Sequence, residues 1–257
     1  MIYLFDDSLK GLLSAVFDRY DRKDSSPELV SSAAYSPALF GETHTVFTED
    51  AKAERVWRGL AQRSDRQAVQ RFYYAFHTGH AAAMQQLFNY ACYLFDHDAG
   101  RASDYGNKHV LAVTQYAQQV HREKHRMEAF IRFRKSNDGL YFAIVTPDFN
   151  VLPLIAKHFR DRYADQCWLI YDQQRKYGIH FDLQQVSEVL LDTACTTLPA
   201  AGNTTIEIDG QEELYTLLWQ DYFKSANIKE RKNLKLHLRH VPRRYWRYLT
   251  EKMIDLK

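Results

Sequence analysis

An α+β protein with a central, mostly antiparallel sheet and helix-rich N- and C-terminal regions is what this 257-residue sequence predicts. Three observations carry that expectation. Apolar residues recur at three- and four-residue spacing from Glu49 to about His125, the signature of helices that bury one face. At Met127 the texture changes to short apolar runs joined by Asn137-Asp138-Gly139, a hairpin turn signal. Helical spacing returns at Gln211–Lys224, with Leu214, Leu218 and Tyr222 on one face. The chain therefore reads as one compact domain over residues 1–257, mainly helical over 1–125. Residues 126–257 form an α+β portion that ends in a basic segment at 224–252.

Taken in order, Ile2–Phe5 is a short apolar strand. Ser8–Tyr20 follows as a helix, in which Leu9, Leu12, Leu13, Val16 and Phe17 share a stripe and Ser8 or Asp7 provides the N-cap. Residues 21–42, rich in Ser, Pro and Asp, read as a loop, and Thr43–Phe47 as a second strand. Gly79, Gly100 and Gly106 divide the helical region. Glu128–Phe133 and Leu140–Val145 are the two arms of the predicted hairpin. A helix over Val151–Tyr163 precedes strands at Cys167–Tyr171 and Tyr177–Asp182. Residues 196–210 are small, polar and loop-like. Leu234–Val241 suits a strand or a helix equally, and Pro242 begins a last helix reaching Met253.

Charge is distributed unevenly. Between Lys224 and Lys252 ten cationic side chains face two acids, a local charge of +8 in a chain whose net charge is +2. The first 223 residues are accordingly net negative. Clustered Lys and Arg neutralise phosphates and release counterions, and flat side chains stack on bases. The residues expected to meet nucleic acid are Lys229, Arg231, Lys232, Lys235, Arg239, Arg243, Arg244 and Arg247, with Trp246 among them. On a helical wheel Tyr245, Trp246, Leu249 and Met253 gather on one side, away from Arg243 and Arg247. The alternative is an ordinary solvated basic helix.

Several chemistries find no support. Neither G-x-x-x-x-G-K nor G-x-G-x-x-G occurs, so nothing points to an ATP or dinucleotide site. No C-x-x-C pair occurs, which argues against a zinc ribbon or deaminase centre. His121 and His125 lie one helical turn apart, but cationic neighbours disfavour a divalent ion there. No intrinsic metal or organic cofactor is expected. The N-terminus lacks a basic n-region, and no run of eighteen apolar residues occurs, so neither a signal peptide nor a membrane span is expected. Cys92, Cys167 and Cys195 are few and widely spaced, like reduced thiols of a cytoplasmic protein.

One polar stretch stands out, Thr146-Pro-Asp-Phe-Asn-Val-Leu-Pro153, between a strand and a helix. Loops at strand ends commonly carry function, which makes Asp148 and Asn150 candidates for base reading or acid/base work. Asp172, after Trp168-Leu-Ile-Tyr171, is a candidate of the same kind. The structural alternative is that Pro147 and Asp148 make a turn, Asn150 caps a helix and Asp172 is a turn acid.

A resemblance rests on Ile2-Tyr-Leu-Phe-Asp-Asp-Ser8, Met127-Glu-Ala-Phe-Ile-Arg-Phe133, Pro147-Asp-Phe-Asn-Val-Leu-Pro153, Ala164-Asp-Gln-Cys-Trp-Leu-Ile-Tyr-Asp172, Tyr222-Phe-Lys-Ser-Ala-Asn-Ile-Lys-Glu-Arg-Lys-Asn233 and Arg239-His-Val-Pro-Arg-Arg-Tyr-Trp246. Together these resemble a bacterial family assigned to DNA metabolism or DNA repair and built on a domain of unknown function. The resemblance implies a radical-SAM DNA modification or repair protein as partner, and a domain elsewhere fused to uracil-DNA glycosylase-like domains. It transfers no catalytic residue. The expected function is DNA binding through the basic tail in the service of that partner, whose iron–sulfur cluster would be its own. The alternatives are a glycosylase-like enzyme acting on a damaged base, with Tyr171 stacking on it, and an adaptor whose basic helix grips an acidic protein.

Overall fold

The computed structural model describes residues 1–36, 42–137, 139–190 and 238–249. They fall into two compact units, Met1–Arg122 and Glu123–Lys257.

In the first unit, β1 (Ile2–Phe5) alternates its side chains so that Tyr3 and Phe5 are buried. The chain then enters α1 (Leu9–Arg22), where the Ser8 hydroxyl accepts from the Gly11 amide at 2.8 Å and closes the first turn. Lys23 ends it in the left-handed region, φ 60°. The return makes β2 (Glu28–Ser31), parallel to β1, and β3 (Thr43–Thr45) flanks β1 on the other side, also parallel. Parallel neighbours require a crossover, and α1 supplies the one from β1 to β2. Next come α2 (Asp50–Arg63), α3 (Arg66–Phe76) and α4 (Ala81–Asp96). The α3 start is capped by the Asp65 carboxylate, which accepts from the Ala68 amide at 2.6 Å. Their apolar stripes, including Val56, Leu60, Phe72, Leu87 and Phe88, enclose one core with Leu12 and Val16 of α1. The long α5 (Lys108–Phe130) carries the chain past Arg122.

The second unit is organised by a five-stranded sheet in the order β4-β5-β6-β7-β8. These strands are β4 (Arg134–Lys135), β5 (Tyr141–Val145), β6 (Trp168–Asp172), β7 (Tyr177–Phe181) and β8 (Val186–Val189). Between β5 and β6 lies α6 (Leu152–Arg162), with Pro153 in its first turn. Every residue of β6 is buried. Near the chain's end residues 238–240 are helical, and a 3-10 helix runs over Arg243–Tyr248 behind Pro242.

The expectation of one central, mostly antiparallel sheet is corrected. The α+β chain has two sheets: a three-stranded one that is wholly parallel, and a five-stranded one in which β5–β6 is parallel and the other pairings are antiparallel. The physical cause is the crossover helix. α1 between β1 and β2, and α6 between β5 and β6, each return the chain to the same end of the sheet before the next strand begins. The expected strand Glu128–Phe133 is also corrected, because α5 continues through Phe130. There Lys124 pairs with Glu128 at helical i,i+4 spacing and Met127 is buried. The hairpin survives with a shorter first arm. Ser136 accepts from Gly139, whose φ of +87° suits glycine, and Lys135 faces Tyr141. Residues 21–42, expected as a loop, contain β2. The last helix closes at Tyr248 because Leu249 is extended. The helix expected at 211–224 and the loop at 196–210 lie outside the described residues. Among the described residues no helix is long and apolar enough to cross a membrane.

Candidate nucleic-acid interface

The short 3-10 helix sorts its side chains as the helical wheel anticipates. Tyr245, Trp246 and Leu249 are buried, while Arg243, Arg244 and Arg247 are exposed. Each buried side chain contributes roughly 1.5–3 kcal/mol to holding the segment down. Trp246 also donates its indole N–H to the Val241 carbonyl at 3.0 Å. Being a core residue, it offers its ring to Arg243, whose guanidinium lies 5.9 Å from the ring centre, and is not an open stacking platform.

The helix is fastened to the Thr146–Asn150 loop through polar contacts. Glu123 of α5, 2% exposed, accepts from the Tyr245 hydroxyl and pairs with Arg244 at 2.8 Å. Its other oxygen accepts from the Asp148 amide at 3.2 Å. Arg244 also pairs with the Asp148 carboxylate, so its charge is matched by two acids. The Tyr248 hydroxyl accepts from the Thr146 amide at 2.8 Å and shares a hydrogen bond with its hydroxyl. Arg247 donates to Thr146 as well. Burial, followed by the hydrogen bond to Glu123, raises the Tyr245 pKa and keeps its phenol a donor.

The same loop is tied to the sheet. Asp172 ends β6 fully buried, accepting from the amides of Gln174 at 2.9 Å and Arg175 at 3.1 Å and from the Arg175 guanidinium at 2.8 Å. Arg175 then donates to the carbonyls of Pro147 and Asp148, each at 3.0 Å. Asn150 accepts from the Tyr177 hydroxyl. Burial, and then the Asp172 charge, raise the Tyr177 pKa.

The candidates chosen from sequence thus converge. Asp148, Asn150 and Asp172 lie in one hydrogen-bonded network, which Arg244 and Arg247 join. Within it Asp172 is the turn acid that the structural alternative describes, and Asn150 makes no cap for α6, whose N-cap is Val151. Tyr171 is 4% exposed. Arg239 is exposed on the helical turn at 238–240. Lys229, Arg231, Lys232 and Lys235 lie outside the described residues. Sequence reasoning missed Glu123, Thr146, Arg175, Tyr177 and Tyr248. A signal for Glu123 was present: it falls three residues after Val120 and four before Met127, on the buried stripe of α5, where an acid requires a partner. Among the described residues no group of three or more His, Cys, Asp or Glu is placed to hold a metal ion.

Residues 81–251 match the model of a family described as a domain of unknown function, DUF4130. The chain belongs to that family. The match covers about two thirds of the sequence and takes in the whole network from Glu123 to Tyr248, whereas β1–β3 and α1–α3 precede it. Neither a curated protein nor a solved structure matches the chain.

Proposed function

We propose that this DUF4130 protein binds DNA through its basic C-terminal segment and serves DNA repair or metabolism beside a radical-SAM partner. The observation that carries the DNA reading is the sorting within Arg243–Tyr248. Its aromatic side is buried, which fixes the segment, while Arg243 and Arg247, with Arg239 just before them, stay exposed where phosphates can reach. The local excess of +8 in a nearly neutral chain supports the same reading. The radical-SAM partner rests on the family resemblance alone.

Base chemistry is the weaker reading. The Asp148 carboxylate is ion-paired with Arg244 and Asp172 is fully buried against Arg175, so both acids have structural duties.

Fluorescence anisotropy of duplex and single-stranded DNA across a salt series tests the proposal. Steep salt dependence is expected on duplex, with a log–log slope of about −0.9 per phosphate neutralised. Arg239→Glu with Arg243→Glu is expected to weaken binding and flatten that slope. An unchanged affinity and slope would remove the assignment of this surface, and co-purification of an acidic protein surviving nuclease and high salt would replace it with an adaptor role.

A further inference from the structure

The N-terminal unit holds a cleft of about 370 Å3 between α3 and α5, within the size range of small-molecule sites. Its α5 wall is a single helical stripe in which Thr114, Gln118, His121 and Arg122 recur at three- and four-residue spacing. From α3 come Gln70, Arg71 and Tyr74, and Tyr105 leans in from the loop before α5.

Two properties of this wall point to a ligand. The first is charge: Arg71 and Arg122 line the cleft, and among the described residues no acid does so. Arg71 is steadied by the Ala102 carbonyl at 3.3 Å and by the Tyr90 hydroxyl, and a guanidinium with five N–H donors keeps others for a ligand. Arg122 is exposed. The second is flat aromatic surface. His121 stacks on Tyr74 with ring centres 5.9 Å apart and planes 26° from parallel, so the imidazole is held in place while remaining exposed. Tyr105 is 52% exposed, unusual for so large a ring. Hydrogen-bonding groups of Gln70 and Gln118 complete the lining.

A second cleft of this unit, about 730 Å3 beside α1 and α2, lacks this combination. Its Arg58 is paired with Glu54, its Arg63 donates to the carbonyls of Leu94 and His97, and Asp21 stands in its wall.

We propose that the α3–α5 cleft binds a nucleotide, with a planar base against Tyr105 and His121 and its phosphate held by Arg122 and Arg71. The shared chemistry is an aromatic heterocycle bearing a phosphate, whether free in solution or as one unit of a single strand. The site is independent of the DNA reading above, since the arginines of that reading lie in the other unit.

Isothermal titration calorimetry on the full chain tests it with the four deoxynucleoside monophosphates, the matching nucleosides, inorganic phosphate and a mixed-sequence deoxyribonucleotide hexamer. At least one monophosphate or the hexamer is expected to bind saturably, with nucleoside and phosphate alone at least about tenfold weaker. Arg122→Ala and Tyr105→Ala, both at exposed positions, are each expected to weaken that binding about tenfold. Loss shown by a monophosphate identifies a free nucleotide, and loss shown by the hexamer alone identifies a strand. Absence of binding by all these probes, or binding that both substitutions leave unchanged, overturns the proposal. Hexamer binding lost only with Arg239→Glu and Arg243→Glu would overturn this site while leaving the C-terminal DNA reading intact.

Discussion

Lowering the pH from 7.5 to 5 is expected to destabilise the N-terminal unit by about 2 kcal/mol through a single side chain, His77. This imidazole caps the C-terminus of α3, is 6% exposed, and finds no hydrogen-bond partner for either ring nitrogen among the described residues. Tyr73 meets it edge-on at 4.7 Å and Phe76 at 5.6 Å. Burial among such groups penalises the cation, so the pKa falls from its ordinary 6.5 to about 4. Between those two values the unfolded chain holds a proton that the folded one refuses. Stability is therefore full above pH 6.5 and declines as the pH falls, with the loss approaching about 3 kcal/mol by pH 4.

The paired carboxylates act in a different window. Asp24, held down chiefly by the Tyr3 hydroxyl, and Asp104, held down chiefly by that of Tyr93, have lowered pKa values. Their stabilisation is present above the ordinary carboxylate value and is lost only below about pH 4. His109, lowered by burial, shares the window of His77, so the measurement is a difference between wild type and His77→Phe, which keeps an aromatic ring and removes the titrating group. Urea unfolding at pH 7.5, 6, 5 and 4.5 provides it. Trp57 is the single tryptophan of the N-terminal unit and reports the relevant transition. A wild-type curve that parallels the His77→Phe curve from pH 7.5 to 5 would refute the reasoning and mean that His77 finds a partner or water in solution.

Two further outcomes concern the C-terminal unit. Arg175→Ala leaves the fully buried Asp172 without its cation and frees the Pro147 and Asp148 carbonyls, so a loss of about 3 kcal/mol is expected in thermal or urea unfolding. Glu123→Ala removes the acceptor of the buried Tyr245 hydroxyl, to which Arg126 and Arg244 still donate, and takes away one of the two acids of Arg244. About 3 kcal/mol of destabilisation is expected, with a changed Trp246 emission; a stability within about 0.5 kcal/mol of wild type would show that the segment is held by burial alone.

The parts legible in sequence were those written in local pattern. α1 announced itself through the Leu9–Phe17 stripe and the Ser8 cap, β6 through Trp168-Leu-Ile-Tyr, and the buried side of the last helix through Tyr245, Trp246 and Leu249. β2 and β8 did not, because each is four residues long and only half apolar, and each exists by pairing with a better strand, β1 or β7. Ala129-Phe-Ile-Arg-Phe133 alternates like a strand, yet the Lys124–Glu128 pair and buried Met127 keep its first residues in α5. In the site, Asp148, Asn150, Asp172 and Arg244 were visible as residue types. Their partners were not, since Glu123 and Tyr245 are separated by 122 positions and no local pattern relates them.

That pairing changes what the basic segment can offer to phosphate. Among the network's described charged groups, Glu123, Asp148 and Asp172 face Arg126, Arg175, Arg244 and Arg247, leaving it a net charge of only +1. Arg244 sits between two of those acids, and an anion reaching it must compete with contacts that already satisfy it. Arg243, its neighbour in sequence, lies over the Trp246 ring at 5.9 Å from its centre and pairs with no acid among the described residues. The two side chains are the same in chemistry and adjacent in the chain, yet one fastens the helix and the other is exposed for recognition. What separates them is that the 3-10 turn directs Arg244 toward Glu123 and Asp148. A basic cluster counted from sequence therefore overstates the charge available to a polyanion by the arginines whose acids lie inside the fold.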